Sequence, residues 1–231
     1  MGSDDIFRKS KEKAIKASQR QKAKRQSYDK VLIVCEGKKT EPFYFKELIA
    51  DYEIHTANVR VSGDCDSDPM SVVNHGLELY KQEKDSPSGV FDKVYFVFDR
   101  DTHSNYAKAL ATIKKSKPID TFIAITSVPC FEYWLLLHFK YTTSPYAPTG
   151  NKSAADQVLS ELKNEFPNYA KAEKGVYSSL KDKLDKAKKH ANNSLAESNR
   201  NGSDNPSTLV HELVEYLQKI KEEKPSLDEF H

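Results

Sequence analysis

Residues 31–41, VLIVCEGKKTE, contain the pattern on which the fold prediction rests. The run VLIVC is rich in β-branched residues and too short for a globular helix, so it predicts a buried β-strand. The run ends abruptly at Glu36 and Gly37. Thr40 then predicts the N-cap of a helix that has Pro42 in its first turn. The segment therefore predicts a strand, a turn and a helix, with a carboxylate at the carboxyl end of the strand.

A second segment, residues 94–101, has the same pattern in the sequence VYFVFDRD. It predicts a buried strand that ends at Asp99 and Asp101, which point the same way because they are two residues apart. In α/β sheets, ligands bind in the crevice at the carboxyl ends of the strands. Glu36, Asp99 and Asp101 would supply hard oxygen donors there, which suit Mg²⁺, with Mn²⁺ as an alternative ion. Each acid alone could instead be a helix cap.

Strands and helices alternate along the first two-thirds of the chain. Crossover connections between them imply a largely parallel sheet, so the predicted fold class is α/β, with helices flanking the sheet. The later sequence has the periodicity of helices, except for the polar segment Asn192–Asn205, which predicts an exposed loop. The predicted strands are 30–35, 58–62, 93–98 and 121–126. The predicted units are a basic N-terminal arm (1–29), an α/β domain (30–145) and a helical C-terminal subdomain (150–222).

Composition narrows the class of protein. A chain of 231 residues can bury one good core. Its longest apolar runs are too short to span a membrane, and its polar, basic N-terminus does not resemble a signal peptide, so we expect a cytoplasmic protein without membrane contact. Cys35, Cys65 and Cys130 are odd in number and lack CxxC spacing, which argues against a disulfide framework and a zinc site.

The N-terminal arm concentrates positive charge although the net charge of the chain is only +2. Such a segment either contacts phosphate backbones or is simply solvated, and its composition does not specify which nucleic acid would be bound. The candidate phosphate contacts are Arg20, Lys22, Lys24 and Arg25.

Four further residues are candidates because they lie near the predicted strand ends. Glu132 falls in the first helical turn after the strand at 121–126, at the same predicted edge of the sheet. Lys38 and Lys39 either hold substrate phosphate beside Glu36 or are solvated loop charges. His103, next to DRD, either moves protons or forms a turn. His138, Cys35 and Cys130 lie in apolar runs and are expected to be core residues.

Four blocks in this order resemble the RloB family: VLIVCEGKKTEPFYF (31–45), FDRD (98–101), SVPCFEYWLLLHF (127–139) and NPSTLVHELVEYL (205–217). The resemblance covers about residues 30–220 and leaves the basic arm outside. It implies a core similar to the Toprim fold of topoisomerases, primases and OLD-type nucleases, and an association with phage defence.

The resemblance also implies roles for individual residues. In Toprim proteins, the glutamate after the first strand acts as a general acid or base, and this residue corresponds to Glu36. The aspartates of the Toprim DxD motif hold Mg²⁺, and they correspond to Asp99 and Asp101. Glu132 matches the family's apolar block. This agrees with the chemistry of the residues, since a metal polarises a phosphodiester and lowers the pKa of bound water while a carboxylate moves the proton.

Two functions of different classes therefore compete. The first is a Mg²⁺-dependent nuclease acting on RNA or DNA, the effector of a defence pair whose partner is an ABC-type ATPase, as the resemblance implies. The second is a non-catalytic Toprim-like module that binds nucleic acid or that ATPase. A homo-oligomer is compatible with both.

Overall fold

The structure, a computed structural model, describes residues 28–222 except 57, 85, 87, 88, 101 and 102. Nearly all of the predicted basic arm therefore lies outside the described residues. The strands are β1 (Val31–Cys35), β2 (Val59–Ser62), β3 (Lys93–Asp99), β4 (Phe122–Val128) and β5 (Ser207–Thr208). The helices are α1 (Thr40–Asp51), α2 (Pro69–Lys84), α3 (Tyr106–Lys115), α4 (Glu132–Leu136), α5 (Ala154–Glu165), α6 (Val176–Leu180), α7 (Leu184–Asn201) and α8 (Val210–Lys219), with a 3₁₀ turn at Lys181–Lys183.

The strands form a mostly parallel sheet in the order β2-β1-β3-β4-β5. Strands β1 to β4 are parallel, and β5 runs antiparallel to β4. This confirms the predicted α/β class, with a mostly parallel sheet, flanking helices and helices at the C-terminal end. Strand β5 was not predicted because two residues are too few to show an alternating pattern.

The central strand β1 is apolar throughout because both of its faces are covered. Its residues Val31, Ile33 and Cys35 pack into one hydrophobic cluster with α1, α4 and the C-terminal helices. The alternate residues, Leu32 and Val34, pack into a second cluster with α2 and α3. The first cluster spans both parts of the chain, and the predicted division into domains at about residue 150 stays a prediction.

The predicted loop at Asn192–Asn205 is wrong over most of its length. Helix α7 continues to Asn201 and ends at Gly202, whose positive φ of 67° is typical of the residue after a helix. The helix is stabilised by tertiary packing rather than by propensity, since after Leu184 its buried residues are small: Ala187, Ala191 and Ser194. The Ser194 hydroxyl lies 2.7 Å from the Tyr133 hydroxyl of α4.

The strand order places a crevice between the carboxyl ends of β1 and β3. The connection after β1 leads to β2 on one side of the pair, and the connection after β3 leads to β4 on the other side, so the two connections diverge. Such a topological switch point is where open α/β sheets bind their ligands. Cys35 is in register with Val97, so Glu36 and Asp99 both lie at this edge.

Gly76 allows α2 to lie close to the sheet. A Cβ at this position would overlap with the ring of Phe96 on β3 and press against Val34 on β1. We predict that Gly76→Ala lowers the free energy of unfolding by about 1–2 kcal/mol, because the overlap outweighs a gain in helix propensity of about 1 kcal/mol. Chemical denaturation measures the change. Asn74→Ala, at an exposed position of the same helix, is the control and should be neutral or slightly stabilising; equal effects of the two variants would contradict the packing argument.

Candidate active site

Glu36 connects the ends of the two central strands. Its backbone N–H donates to Val97 O of β3 (3.0 Å), which extends the parallel pairing by one residue. Its carboxylate Oε2 accepts a hydrogen bond from the backbone N–H of Asp99 (2.9 Å). Its other oxygen, Oε1, lies 3.2 Å from Nε2 of His103 in the loop after β3. The carboxylate is therefore held in a defined orientation at the switch point.

A cleft of about 320 Å³ opens at this edge of the sheet. It lies between the loop after β1, the tip of β3, the start of α4 and the loop between α5 and α6. Lys38 and Lys39 are exposed, so their ammonium groups face solvent at the cleft. The lining residues are Gly37, Lys38, Lys39, Thr40, Glu41, Asp99, Glu132, Lys171 and Ala172.

Glu132 is the first residue of α4 and is almost completely buried, with 3 % of its surface exposed. Its Oε1 accepts a hydrogen bond from the Tyr169 hydroxyl (3.1 Å) and lies 3.1 Å from Nζ of Lys171. Both partners come from the loop between α5 and α6. The C-terminal part of the chain thus orients an acid that follows β4.

Four carboxylates, those of Glu36, Glu41, Asp99 and Glu132, form what we call the acid cluster. Burial raises the pKa of Glu41 to about 7, and the charges of Glu132 and Glu36 add to this effect. Burial likewise raises the pKa of Asp99 well above its usual range, with further contributions from Glu41, Glu132 and Glu36. When ionised, the four carboxylates carry more negative charge than the Lys171 ammonium group beside Glu132 neutralises.

Lys171 opposes this excess charge only in part. Burial lowers its pKa, but the neighbouring Glu132 carboxylate more than compensates, so that the pKa of Lys171 is raised. The ammonium charge also acts to lower the pKa of Glu41, which is nevertheless raised overall.

The loop after β1 is fixed from two sides. A Cβ on Gly63, in the loop after β2, would overlap with Gly37 O and with the ring of Pro42, so only glycine allows this close approach. On the other side, Thr40 Oγ1 accepts a hydrogen bond from the backbone N–H of Ala172 (3.1 Å). The prediction that Thr40 caps α1 is wrong: it is the first helical residue, and no side chain caps this helix.

The structure brings together the five predicted site residues that it describes. Asp99, Glu132, Lys38 and Lys39 line one cleft, and Glu36 is hydrogen-bonded to the backbone of Asp99. The remaining candidates lie outside the described residues, and their roles stay predictions: Asp101, Arg20, Lys22, Lys24 and Arg25. The residues expected to belong to the core, Cys35, Cys130 and His138, are buried.

Three residues of the site were not predicted. Glu41 belongs to the opening sequence segment, but an acid in the first turn of a helix is ordinarily explained by the helix dipole. Tyr169 and Lys171 lie far along the chain from Glu36 and carry no sequence motif. Only the raised polarity of the segment around them, within an otherwise helical region, distinguishes it from its neighbours.

The donor set fits Mg²⁺. Among residues 28–222 as far as they are described, no three His, Cys, Asp or Glu side chains are arranged as a metal-binding group. Mg²⁺ does not require such a group, because it binds through one or two carboxylates and keeps water in its other positions. Glu36 and Asp99 would hold it at the strand tips, and the excess negative charge of the acid cluster favours a cation there.

The raised pKa of Glu41 predicts a pH-dependent cost to stability. Because the folded state binds this proton more tightly than the unfolded state, stability falls as the pH rises from about 4.5, the usual pKa, through about 7. We predict that Glu41→Gln raises the free energy of unfolding by about 2–3 kcal/mol at pH 8.5 and leaves it nearly unchanged at pH 4.5. Thermal unfolding in EDTA across this pH range measures the difference.

Glu165→Gln provides the matched control, since Glu165 is exposed at the end of α5. This variant should follow the wild-type protein at every pH. A stabilisation by Glu41→Gln that does not grow with pH would show that Glu41 is not strained by the neighbouring acids.

Comparison with known proteins complements this geometry. No helix in the described part of the chain has the length and apolar character needed to cross a membrane. Comparisons with curated proteins and with solved structures found no match. Residues 31–217 match the family described as RloB-like protein, and this range includes every member of the acid cluster and most of the sequence. The chain therefore belongs to the RloB-like protein family.

Proposed function

We propose that this protein is a Mg²⁺-dependent nuclease that hydrolyses phosphodiester bonds of RNA or DNA, with a Toprim-like core. The observation that carries the proposal is the hydrogen bond from the backbone N–H of Asp99 to the Glu36 carboxylate at the switch point between β1 and β3, beside a cleft lined by Asp99 and Glu41, whose pKa values are raised. Perturbed carboxylates in a cleft at the carboxyl edge of a sheet are typical of sites that bind cations and move protons.

Four residues of the site have proposed roles in this reaction. When bound, Mg²⁺ would polarise the scissile phosphate and lower the pKa of a coordinated water. Glu36 is proposed to accept a proton, and its Oε1 lies 3.2 Å from Nε2 of His103. Asp99 and Asp101 are proposed as the other metal ligands, the latter from sequence alone. Glu132 is proposed to take part in catalysis, oriented by Tyr169.

Lys38 and Lys39 provide positive charge where a nucleic-acid backbone would enter. Both are exposed and lie in the loop that leads into α1, whose N-terminus carries a partial positive charge. An anionic substrate would therefore meet two ammonium groups and a helix N-terminus before it reaches the acid cluster. Contacts from Arg20, Lys22, Lys24 and Arg25 would extend this surface.

The alternative function, a module that binds without cutting, is less well supported by the site. Burial of several carboxylates with raised pKa values costs stability, and a module that only binds would gain nothing from this cost. The role in phage defence and the pairing with an ABC-type ATPase rest on the family resemblance and form part of the proposal, and self-association is compatible with it. Localisation in the cytoplasm is likewise proposed.

The proposal predicts that charge at Glu36 and Asp99 is needed for turnover but not for folding. Glu36→Gln should lower the single-turnover cleavage rate by about 10²–10⁴-fold, because an amide cannot accept the proton. Asp99→Asn should abolish metal-dependent cleavage while raising the Tm of the metal-free protein, because it removes a strained charge. Labelled RNA and DNA pools incubated with Mg²⁺, Mn²⁺ or EDTA provide the assay.

Substrate binding by the same variants distinguishes an enzyme from a binding module. Retained binding with lost cleavage supports catalysis, and Glu165→Gln should cleave like the wild type. Wild-type rates in either site variant would contradict the assignment. A wild-type protein that binds nucleic acid but never cuts it, with any metal and with its genomic neighbour present, would favour the binding module.

The basic arm predicts salt-sensitive binding. Deletion of residues 1–25 should weaken nucleic-acid affinity and flatten its dependence on salt, because fewer counterions are released. Fluorescence anisotropy between about 50 and 200 mM salt measures the slope. A slope equal to that of the full chain would assign the arm to another task.

A further inference from the structure

Lys171 places an ammonium group inside the acid cluster. Its Nζ lies 3.1 Å from Glu132, which is buried, while 55 % of the Lys171 side chain remains exposed to the cleft. Lys38 and Lys39 line the same cleft and are likewise exposed. A lysine that contacts a buried acid and also faces an open cleft can keep its place or swing away into solvent, because its four-carbon stem is flexible.

The loop that carries Lys171 is held firmly against α1. Ala172 adopts a left-handed conformation with φ of 67°, and its N–H donates to Thr40. Further along, the backbone N–H groups of Gly175 and Ser178 donate to the carboxylate of Glu47. These contacts fix the backbone on the C-terminal side of Lys171, so the fold sets the point from which its flexible side chain reaches Glu132.

The charges of the acid cluster do not balance. Four carboxylates face one lysine ammonium group within the described part of the site, and the pKa values of Glu41 and Asp99 are raised even with Lys171 in place. His103 contacts the cluster from the opposite side, at Glu36. A cation that entered at the strand tips would be attracted by the acids and repelled by the ammonium group.

We propose that Lys171 is the internal counter-cation of the metal-free site and that it competes electrostatically with the divalent cation, so that it sets the metal affinity. The inference rests on the Mg²⁺ site of the proposed function and deepens it. Lys171 lines the same cleft as Asp99, and like charges in one partly buried site repel each other, so its ammonium group weakens the binding of a second cation. The C-terminal part of the chain, which carries the loop, thereby becomes a determinant of metal binding.

The test is an isothermal calorimetric titration of the metal-free protein with Mn²⁺ alone. Lys171→Met should lower the Kd for Mn²⁺ on the order of ten-fold, because the competing charge is lost. Lys171→Arg, which keeps the charge, should bind Mn²⁺ like the wild type. Lys174→Met is the matched control on the same loop, since Lys174 is exposed and its Nζ lies over the ring of Phe43, 5.5 Å from its centroid.

Thermal unfolding adds a second readout that does not depend on activity. Without metal, Lys171→Met should unfold at a lower temperature than the wild type, because Glu132 loses its counter-charge. Saturating Mn²⁺ should raise the Tm of this variant more than that of the wild type, since the stabilisation increases with affinity. Lys171→Gln, which keeps a polar group beside Glu132, should behave the same way if the methionine variant folds poorly.

The outcomes separate this inference from the proposed function. If the wild type binds Mn²⁺ and Lys171→Met binds it equally or more weakly, Lys171 is not a competing cation, although the metal site stands. If Mn²⁺ binds only after Lys171 is replaced, the competition is supported in its strongest form. If neither protein binds Mn²⁺, both the metal site and the competition are excluded.

Discussion

The parallel pairing of β1 with β3 is the constraint on which the rest of the structure depends. The two strands are buried on both faces, so they cannot shift in register without moving apolar residues out of the hydrophobic clusters on either side. The pairing continues into Glu36, whose carboxylate accepts a hydrogen bond from the backbone of Asp99. The strand order turns the edge beyond this pair into a crevice. The position of the candidate site therefore follows from the same packing that stabilises the sheet.

The C-terminal part of the chain completes both the sheet and the site. It supplies β5, which pairs with the end of β4, and the loop whose residues Tyr169 and Lys171 hold Glu132. Its helices share a hydrophobic cluster with α1 and with one face of the sheet. These contacts couple movements of the C-terminal part to movements of α1 and the sheet. A change in the packing of the loop between α5 and α6 would reach the acid cluster directly through Glu132.

The acids of this cluster lower the stability of the fold, although they are the residues proposed to act in catalysis. Burial raises the pKa of Glu41 and Asp99, and every neighbouring carboxylate adds to the effect. A structure selected only for stability would replace such residues or pair each with a cation. Retaining them at a switch point, with Lys171 as a partial counter-charge, is physically reasonable where a divalent cation and an anionic substrate would complete the charge balance.

The sequence by itself determined the α/β class, the four parallel strands and the strand-end acids, because burial on both faces and abrupt polar ends leave local patterns. It also indicated Lys38 and Lys39 through their position after β1. Only the tertiary structure decided the strand order, the length of α7 and the positions of Glu41 and Lys171 beside the strand ends. A helix with a face of small residues lacks a clear apolar stripe, and an ion pair between residues far apart in the chain has no local signature, so these features arise only when the chain has packed.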